Sequence, residues 1–216
     1  MSAQVATYSP KEERANYLTH GFSFLCSLVG LAILVGKGWS HKDPYVLPGV
    51  AIFGVGLAMC FLSSTVYHWV QHPDLKRRFR IIDHLCIYVL IGASYTPFAL
   101  VNLRDSWGIS VFFAIWGLAI FGSIFKIAIR NQLQTYQYVD ALIYVVMGCF
   151  ALLFIKPIVT HIPSDGVWLL SLGGAAYIVG VFFYLNKKIP YNHAIWHLFV
   201  MAGGGLHFLA VWKYVG

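Results

Sequence analysis

FFAIWGLAIFGSIF, residues 112–125, contains no charged residue and no regular alternation of polar with apolar side chains. A strand of a membrane barrel alternates outward apolar with inward polar residues. A helix crossing ~30 Å of hydrocarbon needs ~20 mostly apolar residues. The run sits inside the stretch 107–129, whose one charge is Lys126, so it reads as a membrane-spanning helix. Six other stretches qualify: 18–36, 45–68, 81–101, 139–157, 167–185 and 193–213. Short polar breaks separate them, such as KGWSHKDP at 37–44 and QHPDLKRRFR at 71–80.

Composition excludes the other classes. Of 216 residues, 59% are hydrophobic and only 11% charged. A soluble domain carries about 25% charged residues, and a disordered chain is far less apolar. The mean hydropathy is +0.70. The four cysteines, Cys26, Cys60, Cys86 and Cys149, are widely spaced and form no CxxC pair, so they read as small core hydrophobes rather than a disulfide framework. The expected fold is an all-α integral membrane protein, a seven-transmembrane helix bundle. Residues 1–17 read as an N-terminal segment and residues 18–216 as a single domain. The first apolar run lacks a small-residue cleavage site after it and reads as a retained helix.

Fifteen Lys and Arg stand against eight Asp and Glu. In a membrane protein this excess reflects basic cytoplasmic loops rather than a nucleic-acid partner. With seven spans, the N-terminal tail shares a side with the second, fourth and sixth loops. That side holds ten basic residues: Lys11, Arg14, Lys76, Arg77, Arg78, Arg80, Lys126, Arg130, Lys187 and Lys188. Lys37, Lys42, Arg104, Lys156 and Lys213 fall on the other. The bias predicts a cytoplasmic N-terminus and a C-terminus outside.

Polar residues inside spans are costly and are functional candidates by default. The predicted topology brings His68 at the end of the second span, Asp83 at the start of the third, and His193 and His197 at the start of the seventh to one membrane depth. His193 and His197 are four residues apart, so their rings share one helix face. Three histidines with an open fourth position form the catalytic type of zinc site. Asp83 reads either as a further ligand or as a partner orienting a histidine or bound water. Ser64, one turn before His68, reads as an oxyanion donor or as a hydroxyl bonded one turn back; Ser63 reads as the latter. His84 points ~100° away from Asp83 and reads as structural. His72 falls in a loop. His207 lies ~15 Å from His197 along a helix, too far for the same metal, and reads as bonded to a neighbouring helix with close packing at Gly203–Gly205. Glu13, Asn16 and His20 share one helical face, as an interfacial helix start or as a cap over the metal mouth.

These residues carry a resemblance. Glu13-Arg-Ala-Asn16-Tyr-Leu-Thr19-His20 resembles the ExxNxxTH signature of the hemolysin III proteins, the bacterial branch of the progestin and adipoQ receptor family. Ser64-Thr-Val-Tyr-His68 is similar to its SxxxH, Asp83 to its third-helix aspartate, and His193-Ala-Ile-Trp-His197 to its HxxxH. The resemblance implies a seven-helix fold with a cytoplasmic N-terminus in a bacterial cell membrane. It implies Zn²⁺ held by His68, His193 and His197, with Asp83 and Ser64 close by. It also implies hydrolysis of ceramide-like or fatty acyl amides, lipid sensing and membrane homeostasis, or a cytolytic role. A metal-dependent lipid amide or ester hydrolase is the leading expectation. A lipid sensor with structural zinc and a pore-forming haemolysin are the alternatives. A haem protein is a further one. An ion channel is disfavoured because polar groups gather at the span ends instead of ringing the middle, and a retinal protein because the last span has no deep lysine.

Overall fold

The computed structural model describes residues 8–132 and 135–216. Among these, all regular structure is helical. Seven helices are long and apolar enough to cross a membrane: α1 (Pro10–Trp39), α2 (Val46–Trp69), α3 (Pro73–Asn102), α4 (Arg104–Ala128), α5 (Gln137–His161), α6 (Ser164–Leu185) and α7 (Asn192–Tyr214). Each expected span falls on one of them. The helices overrun the apolar stretches for local reasons. Ser9 caps α1: its hydroxyl accepts from the Glu12 amide, and Glu12 Oε2 accepts from the Ser9 amide at 2.9 Å. Pro10, at the first helical position, loses no hydrogen bond there. The helix therefore begins about two turns before the apolar run, and residues 10–17, expected as a polar segment, belong to it. Pro157, taken as the end of the fifth span, does not end α5. A tightened turn at Phe150–Phe154 absorbs the missing amide donor, and the helix resumes to His161.

The helices close a ring in which α2 packs between α1 and α3, α3 also meets α4, and α7 joins α6 to α1. The apolar core runs along α2 through Val50, Phe53, Leu57 and Phe61 and meets Val200 and Val211 of α7. Small residues let helices approach, as membrane packing requires without a hydrophobic drive between helices. At Gly56 an added Cβ would stand 2.6 Å from Ala93 Cβ. Among the described residues α5 is the least buried span. It walls a cavity of about 430 Å³ that reaches from His20, His193 and His197 to His207.

Two helix faces invert the usual pattern. On α1, Glu13, Asn16, His20, Ser23 and Ser27 face inward, while Phe22, Leu25 and Val29 are exposed. The second is in α4, where Lys126, counted above as a basic residue flanking a cytoplasmic loop, is instead 1% exposed and paired with Asp140 of α5, 2% exposed. Tyr88 of α3 donates to Asp140 Oδ1 at 2.9 Å. The charge thus clamps α3, α4 and α5 rather than lying in the loop. Removing one member of a buried pair strands the other, which typically costs ~3–5 kcal/mol. Asp140→Leu alone is expected to lower the unfolding free energy in micelles by about that amount, and Lys126→Met with Asp140→Leu to recover most of it. Equal losses in the single and double variants would mean that the pair does not fasten α5.

Candidate metal centre

α2 ends by presenting Ser64, Tyr67 and His68 inward, all buried. The α6–α7 turn is fixed from both sides. Asn192 Nδ2 donates to the Phe183 and Tyr184 carbonyls, capping the last turn of α6 (2.9 and 3.3 Å). Tyr191 takes a left-handed backbone (φ 55°), a conformation that costs about 1–2 kcal/mol for a residue with a Cβ. Its amide is tied to Glu12 Oε1 at 3.3 Å. That turn starts α7 at Asn192, one residue before His193, and directs His193 and His197 toward His68.

The three imidazoles converge. Their ring centroids are 4.8 Å apart for His68 and His193, 5.2 Å for His68 and His197, and 4.5 Å for His193 and His197. One ring nitrogen from each lies within 4.8 Å of the others, and all three residues are buried. The hydrogen bonds select which nitrogens are free. His68 Nδ1–H donates to Glu13 Oε2 at 2.7 Å, and its Nε2 is buried with no partner among the described residues. His197 Nδ1 stands 3.2 Å from the Asn16 main-chain carbonyl, which only accepts, so Nδ1 carries the proton and Nε2 the lone pair. Both His193 nitrogens are buried without a partner among the described residues. Unpartnered buried nitrogens cost about 1–3 kcal/mol each, a penalty that a metal ion relieves. Tetrahedral zinc at ~2.0–2.1 Å from each nitrogen would need them about 3.4 Å apart, so nitrogens now within 4.8 Å of one another would close by up to about 1.4 Å. The donor set fits a metal ion.

Asp83 is not one of the clustered ligands. It lines the cavity beside them, with the Ser64 hydroxyl against its carboxylate. Ser63 bonds back to the Cys60 carbonyl at 3.0 Å, as read from sequence. His207 Nε2 donates to the Leu170 carbonyl of α6 at 3.2 Å, likewise as read. It packs so tightly that a Cβ on Gly173 would stand 2.4 Å from it. Close packing holds at Gly203 and Gly204, while a Cβ on Gly205 would meet open space. His84 Nδ1–H donates to the Arg80 carbonyl at 2.7 Å, a structural bond, but its ring also lines the cavity.

The N-terminal signature is a wall of the site. Glu13 and Asn16 reach the ring nitrogens directly. His20 stacks on His197 with centroids 3.5 Å apart and planes 15° apart. A metal lies in the plane of its ligand ring, so two rings stacked this way do not share one ion. The cover over the site is Tyr8, whose ring lies 5.1 Å from His193 and 5.9 Å from His68. Burial pushes its hydroxyl pKa well up. Sequence reasoning missed Tyr8, Tyr191 and Asn192. Only Asn192, a cap-type residue opening an apolar run, left a signal.

Fold and cluster together define a multi-pass, seven-helix membrane protein with a candidate three-histidine metal centre opening on an apolar cavity. The chain belongs to the haemolysin-III related family, whose model matches residues 8–208. It is 39% identical over 205 residues to Hemolysin-3 of Bacillus cereus, covering 95% of this chain and 92% of that one. It is 38% identical over 207 residues to the Hemolysin-3 homolog of Bacillus subtilis (strain 168), covering 96% of each. Against the monocyte to macrophage differentiation factor of Homo sapiens it is 33% identical over 214 residues, covering 94% and 84%.

Proposed function

We propose that this protein is a zinc-dependent intramembrane hydrolase of lipid amides or esters, with its N-terminus and metal centre on the cytoplasmic side of a bacterial plasma membrane. One observation carries the reading: three buried histidines converge, and two of them, His193 and His197, line an apolar cavity that also holds a carboxylate and a hydroxyl. The cavity, about 430 Å³, has the size and apolar walls for a fatty acyl chain. Bound zinc would supply a water of pKa about 7 and polarise the substrate carbonyl. Asp83, whose carboxylate lines the same cavity, would accept the proton of an attacking water. Ser64 donates its one hydroxyl hydrogen to the Asp83 carboxylate and holds it in place; it would serve a developing oxyanion only by leaving Asp83. His20, buried with both nitrogens unpartnered among the described residues, offers a hydrogen bond to a polar atom beside His197. Metal analysis of purified protein, followed by hydrolysis assays on ceramide-like and ester lipids with and without chelator, tests the proposal. Wild-type protein without zinc ends it.

The orientation has its own test. A reporter fused after Gly216 is expected to read as external, and one before Ser9 as cytoplasmic. The reverse pattern would put the metal centre on the outer face.

The name of the Bacillus cereus relative favours a second reading, lysis of membranes. Against a conducting pore, the buried middle of α2 is Val50, Phe53 and Leu57, and the charges gather at helix ends. Dye release from vesicles by zinc-loaded and chelated protein separates the two readings, because hydrolysis needs metal and lysis by oligomers does not.

A further inference from the structure

The ExxNxxTH segment of α1 touches the candidate metal centre without belonging to its ligands. We infer that α1 sets the affinity of the centre for metal: Glu13, held by Lys76, fixes His68 in the tautomer that leaves Nε2 free, and Asn16 with Thr19 does the same for His197. The inference rests on the metal-site reading above and concerns positioning residues only.

A neutral imidazole carries its proton on either nitrogen, and a metal binds only the bare one. His68 is fully buried, so no water decides between the two forms. Glu13 decides. Its Oε2 accepts the Nδ1 proton at 2.7 Å, while Oε1 takes the Lys76 ammonium at 2.9 Å. Lys76 also donates to the Tyr67 and Val70 carbonyls, at 3.1 and 3.3 Å. These carbonyls belong to the end of α2, the helix that carries His68. One lysine thus neutralises the buried carboxylate and locks it against the histidine's own helix. The circuit runs from α3 through α1 to α2 and closes on a single ring nitrogen.

His197 has the equivalent support. Its Nδ1–H faces the Asn16 carbonyl at 3.2 Å and Thr19 Oγ1 at 3.1 Å. The Thr19 hydrogen is directed to the Ala15 and Asn16 carbonyls, each 2.9 Å away, which leaves its oxygen to accept. His193 has no such partner among the described residues. A carboxylate or carbonyl behind a metal-bound histidine raises its basicity and fixes its plane, and losing such a partner typically costs ~10–100-fold in metal affinity. A polar stripe on the inner face of α1 would otherwise be a pure expense in a membrane helix.

The test uses full-length protein in micelles, stripped of metal, with zinc affinity measured by competition against a chromophoric chelator. Glu13→Gln is expected to weaken zinc binding by ~10–100-fold and Thr19→Val by ~10-fold, with Lys76→Met falling in the same direction. Cobalt substituted for zinc reports the coordination geometry through its visible bands, which are expected to shift in Glu13→Gln. In metal-free protein, histidine side-chain ¹⁵N shifts are expected to give His68 as the Nδ1–H tautomer in the wild type and as a mixture in Glu13→Gln. Wild-type zinc affinity and an unchanged cobalt spectrum in Glu13→Gln, whatever its stability, would overturn the inference and leave the metal site standing. Should Glu13→Gln not fold, near-isosteric Thr19→Val decides: wild-type affinity there counts against the role of α1. A wild-type protein that binds no zinc defeats the metal reading itself, and the tautomer measurement still reports on Glu13.

Discussion

Asp83→Asn protein is expected to bind zinc, to fold, and to hydrolyse a lipid amide ~10²–10⁴-fold more slowly than the wild type. Asp83 lies outside the cluster of close ligand atoms, so the metal keeps its three nitrogens when the carboxylate becomes an amide. Asparagine keeps the shape and one acceptor for the Ser64 hydroxyl. It cannot take a proton or hold a negative charge beside the metal. Any loss of metal affinity stays within the ~10–100-fold of an outer-shell change, which micromolar zinc compensates if the site is tight. The measurement pairs zinc content with turnover on the same preparation. Wild-type turnover by zinc-loaded Asp83→Asn would remove the proton-accepting role. Undetectable wild-type turnover on all amides and esters tried would leave zinc as a structural pin between α2 and α7.

The seven spans were legible because a bilayer imposes a length and an apolar composition that few other structures share. The α1 boundary shows where that signal stops. Ser9-Pro10-Lys11-Glu12 is a capping box with proline at the first helical position, readable from residue identities alone. A reading led by hydropathy passes over it because the first two turns of α1 are polar. The site was legible to the level of depth. Charge bias and helix direction bring His68, Asp83, His193 and His197 to one end of the bundle, where the structure has them.

Contacts within that level were not legible. The sequence offers Glu13, Asn16 and His20 on one face, but not that the face turns toward His68 and His197, because the order of helices around a bundle leaves no periodicity. Lys126 illustrates the same limit. A lysine at the end of an apolar run reads alike whether it snorkels to water or pairs inside. Only the meeting of α4 with α5 supplies Asp140. Tyr191 leaves no signal either, since nothing in its type announces a left-handed turn.

The other large expected effect is loss of the metal. His68→Ala, His193→Ala and His197→Ala are each expected to reduce bound zinc to a small fraction of stoichiometric, a larger loss than the ~10–100-fold of an outer-shell change. Each removes one of three protein nitrogens, and two histidines with water do not hold a tetrahedral ion as three do. The loss should be specific. His84→Ala gives up a bond to the Arg80 carbonyl and His207→Ala one to Leu170, so both lose stability, by about 0.5–1.5 kcal/mol for one hydrogen bond, yet keep zinc. Of the ligand variants, His68→Ala gives up the bond to Glu13 and His197→Ala the bond to the Asn16 carbonyl, whereas His193→Ala cuts no hydrogen bond among the described residues. Metal-free His193→Ala should therefore melt close to the metal-free wild type, and the difference should open only when zinc is added, because a ligand that binds only the folded state stabilises it. Equal zinc loss in all five variants would indicate general unfolding. Full zinc retention in His193→Ala would exclude that residue from the centre, and the metal would then have to be sought between His68, His197 and the Asp83 carboxylate.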